Sequence, residues 1–221
     1  MMRGLYIIVE GQTEEVFVNS SLRPYFTSKG IYDIRAIKIQ TSPGHKGGDL
    51  IYDRYKANIA LLLKQETDIL LTSLIDFYKL KSDFPGFVEA KEIADVNERV
   101  VFIEKAISED INHTRLIPYI QLHEFEGLLF AAKNGFEYLP GISNRNLTAL
   151  NKIVDDYANP ELINDGAETH PAKRLSNLIP SYKKTIHGPI IALENGFDRI
   201  MDKCPRFKNW IDTLIERMKE E

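Results

Sequence analysis

Four stretches of the chain have the hydrophobic pattern of β-strands. Leu5–Val9 and Ile69–Ile75 are largely apolar, which is typical of strands buried on both faces of a parallel sheet. Ile31–Gln40 alternates apolar and polar residues, as a strand with one covered face does. Arg115–Leu122 completes the set, so the pattern predicts four strands.

Helical periodicity separates these strands. One helix is predicted to begin near Thr13, whose side chain can cap it, and two others to span Asp49–Gln65 and Ile93–Glu109. Because strand and helix alternate, we predict an α/β fold with a mostly parallel, Rossmann-like sheet flanked by helices.

The second half of the chain has a different pattern, with helices and turns and no convincing strand. It ends in an amphipathic stretch, Arg206–Glu221. We expect an α/β core over residues 1–135 and a helical extension over 136–221 that packs on this core as part of one structural domain.

Composition narrows the class of protein. The chain has 221 residues, 43% of them hydrophobic and 27% charged, which is ordinary globular composition. Its net charge of −4 argues against binding nucleic acid through a generally basic surface. The single cysteine, the brief N-terminal apolar run and the lack of a stretch of about 20 apolar residues lead us to expect a cytoplasmic protein that does not enter a membrane.

Acidic residues follow three of the four predicted strands: Glu10 the first, Asp76 the third, and Glu124 with Glu126 the fourth. Carboxyl ends of parallel strands share one edge, where ligands of α/β proteins bind. Carboxylates are the ligands that Mg²⁺ and Mn²⁺ prefer. The pattern predicts a divalent-metal site, although acids also occur at strand ends and in first helical turns for structural reasons alone.

Six segments in this order resemble a known family. Val9–Glu15 (VEGQTEE) is similar to the first motif of Toprim-type domains in OLD-like nucleases. The wider set resembles a bacterial domain of unknown function, family 4276, whose members are regarded as Toprim-like. Its other segments are LIDFYKLKSDFPG (Leu74–Gly86), QLHEFEGLLF (Gln121–Phe130), NPELIND (Asn159–Asp165), THPAKRL (Thr169–Leu175) and CPRFKNW (Cys204–Trp210).

The resemblance implies a Toprim-type sheet and Mg²⁺- or Mn²⁺-dependent cleavage of phosphodiesters in nucleic acid, with DNA favoured over RNA. Glu10 matches the first acid of the family's first motif and Glu14 the second. The Asp-x-Asp motif reads Asp76-Phe77-Tyr78 here, so a tyrosine stands in place of the second aspartate. Asp83, Glu124 or Glu126 could supply the missing ligand, or the site could hold one metal.

We therefore expect metal ligands at Glu10, Glu14, Asp76, Glu124 and Glu126. We also expect catalytic roles for Glu10, Asp76, Glu124 and Lys173, and substrate binding by Arg174. A solvated helix face explains Lys173 and Arg174 equally well, and only the family pattern favours a functional role for them.

Other basic and histidine residues are open to two interpretations. His45 and Lys46 lie in a glycine-rich loop that could close over phosphates, although an exposed turn explains them as well. His123 is a further candidate for substrate binding. It does not belong to a zinc-protease motif, which would need a second histidine where Gly127 stands.

Three functions fit these observations. The first is a metal-dependent nuclease, and the second is a catalytically weak accessory subunit that binds a partner ATPase in a bacterial defence system. The chain has no GxxxxGK[ST] motif, so a partner would have to supply ATP hydrolysis. The third is a small-molecule phosphohydrolase, and a homo-oligomer is compatible with each.

Overall fold

A parallel sheet organises the computed structural model, which describes residues 3–39, 50–78, 80–163, 166 and 168–220. Its five strands are β1 (Gly4–Val9), β2 (Ile34–Lys38), β3 (Ile69–Asp76), β4 (Leu116–Ile117) and β5 (Ile120–Gln121). The order is β2-β1-β3-β4, with β5 also paired to β3, and every pairing is parallel. The predicted α/β class with a mostly parallel sheet is confirmed.

Helices form the layers on both sides of this sheet. The α-helices are α1 (Gln12–Phe17), α2 (Arg23–Ser28), α3 (Tyr52–Gln65), α4 (Phe87–Ala90), α5 (Val96–Ile111), α6 (Asn134–Glu137), α7 (Asn144–Asp156), α8 (Pro171–Leu178), α9 (Lys184–Asn195), α10 (Phe197–Lys203) and α11 (Pro205–Lys219). A π-helical stretch, Val18–Leu22, joins α1 to α2, and Phe125–Ala131 and Pro160–Leu162 are 3₁₀-helical.

The sheet residues divide between two hydrophobic cores because strand side chains alternate in direction. Leu5, Ile7 and Val9 of β1 belong to the core that contains α1 and the C-terminal helices. Tyr6 and Ile8 belong to the core formed with α3 and α5. Both faces of β1 are thus buried, as its uniformly apolar sequence indicates.

The C-terminal helices are fixed to the first of these faces by buried polar contacts. Trp210 Nε1 in α11 donates to Thr72 Oγ1 in β3 at 2.9 Å. The buried Glu161 carboxylate accepts from the backbone N–H groups of Arg206 at 2.9 Å and Phe207 at 3.0 Å, which caps the start of α11. Two segments of the family resemblance, NPELIND and CPRFKNW, therefore meet in a structural contact.

The predicted fourth strand, Arg115–Leu122, was wrong as a continuous element: it is divided into β4 and β5. Pro118 has no N–H and cannot continue a strand ladder. At the gap, Ser73 Oγ donates to the Tyr119 carbonyl and accepts from its N–H, both at 3.0 Å. A side chain of β3 thus replaces the missing backbone pairing.

The predicted cap of the first helix was also wrong. Helix α1 begins at Gln12, its N-cap residue is Gly11, and Thr13 lies buried within it. Glu14 Oε2 accepts from the Gly11 N–H at 2.9 Å, so the cap is supplied by the acid of the first turn. The same side chain is one of the expected metal ligands.

Candidate metal and phosphate site

Asp76 is the last residue of β3, and the polypeptide after β5 lies directly beside it. Asp76 pairs in register with Gln121 of β5, and its Oδ1 accepts from the Phe125 N–H at 2.9 Å. This bond places the 124–126 segment at the carboxyl end of β3. Glu10 follows the neighbouring strand β1 at the same edge, because the two strands are parallel.

The five expected ligands act electrostatically on one another at this edge. Burial raises the pKa of Asp76 well above its ordinary value, and repulsion from four carboxylates raises it further. In order of effect, these are Glu14, Glu126, Glu10 and Glu124. Burial also raises the pKa of Glu14, with contributions from Glu126 and Glu10. We call these five residues, Glu10, Glu14, Asp76, Glu124 and Glu126, the carboxylate cluster.

One lysine compensates part of this negative charge. Lys184 Nζ, at the start of α9, lies 2.7 Å from Glu126 Oε1, and only 2% of the Glu126 side chain is exposed. Burial lowers the pKa of Lys184, but attraction to Glu126, and then to Glu124 and Asp76, raises it above its ordinary value. Lys184 therefore supplies a positive charge to the cluster, a role that the sequence pattern did not predict.

Tyr182 is a second residue near the cluster whose position the sequence pattern did not predict. Its hydroxyl is buried and, among the described residues, has no hydrogen-bond partner. Burial raises the pKa of Tyr182, as do the Glu126 and Glu124 carboxylates. The sequence signal for this pair, a Tyr-Lys-Lys run before a helix, is common on ordinary protein surfaces.

Glu124 connects the cluster to α8. Its Oε2 is 2.8 Å from His170 Nδ1 and accepts from the Ala172 N–H at 3.0 Å, and the carboxylate is buried. The same Nδ1 lies 3.4 Å from the Lys173 N–H at the start of α8. The His170 ring in turn stacks on Tyr78, with ring centroids 5.0 Å apart and an interplanar angle of 21°.

Two basic residues assigned by the resemblance have partners of their own. Lys173 Nζ lies 3.6 Å from Glu168, while Arg174 Nε donates to the Thr169 carbonyl and its guanidinium lies over the Tyr157 ring at 5.8 Å. The structure does not bring these side chains to the carboxylates, where Lys184 is paired instead.

The remaining candidates lie at different places. His123 is buried beside the cluster, in a left-handed backbone conformation with φ of 58°, and its carbonyl accepts from the Tyr78 N–H at 2.9 Å. Asp83 Oδ2 accepts from the Tyr52 N–H at 2.9 Å, which caps α3. His45 and Lys46 lie outside the described residues.

The donor chemistry of the cluster fits a hard divalent cation. Five carboxylates from three chain segments supply the oxygen ligands that such a cation prefers, and repulsion among them adds to the effect of burial on the pKa of Asp76. Within the described ranges, however, no three Asp, Glu, His or Cys side chains are arranged closely enough to enclose one ion. Binding would therefore require side-chain rotation.

The parallel sheet, its flanking helices and the acids at its carboxyl edge define an α/β protein with a ligand-binding type of sheet edge. The chain belongs to the family described as Domain of unknown function (DUF4276), whose model matches residues 9–215. No curated protein matches the sequence. Where the structure describes the chain, it contains no helix that is both long and apolar enough to cross a membrane.

Two solved structures are similar to this one. The C-terminal region of the Burkholderia pseudomallei OLD protein has a TM-score of 0.52 and 16% identity, and the alignment covers 97% of this chain and 100% of that one. The C-terminal region of the Xanthomonas campestris pv. campestris OLD protein has a TM-score of 0.46 and 16% identity, with 97% of each chain covered. The similarity to the Burkholderia pseudomallei structure, at 16% identity, shows a shared fold.

Proposed function

We propose that this protein is a divalent-metal-dependent phosphodiesterase that cleaves nucleic acid, with DNA favoured over RNA. The observation that supports the proposal is that the acids following β1 and β5 converge on Asp76, the last residue of β3, at one edge of the sheet. Lys184 is paired with one of these acids, Glu126. Glu124 and Glu126 are buried and the other three acids are half-buried, and gathering like charges in this way costs free energy that a purely structural cluster would not need to spend.

Glu10 and Asp76 would hold Mg²⁺ or Mn²⁺ together with Glu14, Glu124 and Glu126. The bound cation would supply the positive charge that lets an anionic phosphodiester approach and that favours attack by water. Glu124 is held in place by His170 and the Ala172 N–H, so its position is preset. Lys184, now paired with Glu126, would also neutralise charge on a bound phosphate. The phosphate and Glu126 would then compete for the same ammonium group.

The test is to titrate Mn²⁺ and Mg²⁺ calorimetrically into the wild type and into Glu10→Gln with Asp76→Asn, and to assay both on plasmid and single-stranded substrates. Metal binding and cleavage should both be lost in the folded double variant. Glu109→Gln, on the exposed face of α5, is the matched control and should keep both.

A second candidate is an accessory role, in which the cluster binds weakly or not at all and the protein acts with a partner ATPase in a bacterial defence system. It is favoured by the absence, in the described part of the chain, of three acids arranged around one point. A wild type that binds neither cation at millimolar concentration and cleaves nothing would replace the nuclease proposal with this one.

A further inference from the structure

An exposed aromatic ring lies beside the carboxylate cluster and stacks on a histidine. Tyr78 is two residues after Asp76, and 37% of its surface is exposed. One side of its ring stacks on His170 at 5.0 Å. An aromatic ring that is held by one stacking contact and is still partly exposed is suited to receive another flat ring.

This stack is fixed to the cluster at both of its rings. The Tyr78 N–H donates to the His123 carbonyl at 2.9 Å, adjacent to Glu124. His170 is held by its Nδ1 contact with Glu124 at 2.8 Å. A ring bound on Tyr78 would therefore lie at a set distance from the groups proposed to act on the phosphodiester.

We propose that Tyr78, supported by His170, is a stacking platform for an unpaired nucleobase, so that the substrate is a single strand or an unpaired region. This inference rests on the proposed function and deepens it by naming the substrate class. A base inside a duplex is stacked on both faces and would have to be extruded before it could reach the platform. Since every base has a π-face, the platform selects for lack of pairing and not for sequence.

The test measures binding and not cleavage. Fluorescence anisotropy is recorded with a labelled short oligodeoxynucleotide, the oligoribonucleotide of the same sequence, a hairpin duplex and a strand carrying abasic sites. Ca²⁺ replaces Mg²⁺ in one series and EDTA is present in the other, with strand integrity checked on gels. Both intact single strands should bind more tightly than the duplex and the abasic strand.

Tyr78→Ala should weaken binding of the intact strands roughly 5- to 150-fold, which is the effect of removing one aromatic–base stack. The same substitution should leave binding of the abasic strand unchanged, because that strand has no base to stack. Tyr78→Phe keeps the ring and should bind as the wild type does. Tyr32→Ala, which removes an exposed tyrosine just before β2 at the opposite edge of the sheet, is the matched control and should have no effect.

Three results would overturn the platform: no binding of any strand, equal binding of intact and abasic strands by the wild type, or an equal loss for both strands in Tyr78→Ala. If the wild type binds Mn²⁺ and cleaves but shows no dependence on bases, the platform fails and the nuclease proposal stands. If binding depends on bases but the wild type neither binds metal nor cleaves, the platform stands and the nuclease proposal fails.

Discussion

Replacing Lys184 by methionine tests whether the carboxylate cluster depends on the positive charge that Lys184 supplies. Methionine keeps much of the length of the side chain but removes the charge, so the Glu126 carboxylate loses the ammonium group 2.7 Å away. Because Glu126 is buried, it cannot recover full hydration in exchange.

The magnitude follows from how deeply each partner is buried. Breaking a fully buried ion pair by removing one member costs about 3–5 kcal/mol, whereas an exposed pair contributes about 0–1 kcal/mol. The Lys184 side chain is 43% exposed, so solvent screening reduces the buried-pair figure. We expect Lys184→Met to lower the free energy of unfolding by about 1–3 kcal/mol, or Tm by about 3–10 °C for a chain of this size.

The raised pKa of Lys184 sets the pH range of this effect. A group whose folded-state pKa lies above its ordinary value of 10.5 contributes its stability fully below that value and loses it as the pH rises further. The lysine is therefore charged throughout the neutral range, and its full contribution is measured there.

The assay is urea unfolding followed by Trp210 fluorescence, without divalent cations. Lys184→Arg, which keeps the charge, should lie closer to the wild type than Lys184→Met does. Lys105→Met breaks an exposed pair with Glu109 at 3.7 Å and should change stability by no more than about 0.5 kcal/mol. If Lys184→Met is as stable as the wild type, Lys184 does not compensate the cluster and the electrostatic reasoning is wrong.

Three further predictions concern stability. Asp76→Asn should raise the stability of the fold at neutral pH, because the pKa of Asp76 is raised and its ionisation opposes folding. The gain should vanish as the pH falls towards the ordinary aspartate pKa of 3.8. Parallel thermal melts of both proteins across this pH range measure it. Glu161→Ala should lower stability by about 1–3 kcal/mol in urea unfolding, because two N–H groups at the start of α11 lose their acceptor; an unchanged midpoint would show that water replaces it. Gly86→Ala should destabilise the protein in thermal melts by about 1–3 kcal/mol, because the φ of Gly86 is +74° and a Cβ would meet a side chain of α5 at 2.9 Å. Gly141→Ala is the control: its φ is +75°, but a Cβ there meets nothing, so it measures the backbone contribution without the clash.

The sequence was sufficient to predict the sheet and the acidic edge because both depend on local patterns. Apolar runs that stop at Glu10 and Asp76 mark buried strands and their ends, and parallel strands place such ends together. Pro118 was also a local signal, since proline interrupts a strand ladder, yet the apolar residues around it favoured an unbroken strand.

The residues that the sequence did not predict come from contacts across the fold. Lys184 reaches Glu126 from a helix that begins 58 positions later, and no periodic pattern specifies that approach. The pairing of His170 with Glu124 depends likewise on how α8 packs against the 124–126 segment. Lys173 and Arg174 have side chains that can bind phosphate, but in the structure Lys173 pairs with Glu168 and Arg174 donates to the Thr169 carbonyl.

The interruption at Pro118 also affects how this protein meets other chains. The strand formed by β4 and β5 is an outer strand of the sheet, where exposed backbone groups normally invite pairing with another polypeptide. Here the Ile120 N–H donates to Glu104 at 2.7 Å, and the Ile120 carbonyl accepts from Arg206 at 3.2 Å. These side chains occupy the backbone groups of Ile120 and so oppose strand addition at this edge, which leaves β2, the outer strand on the other side, as the edge where another polypeptide could pair.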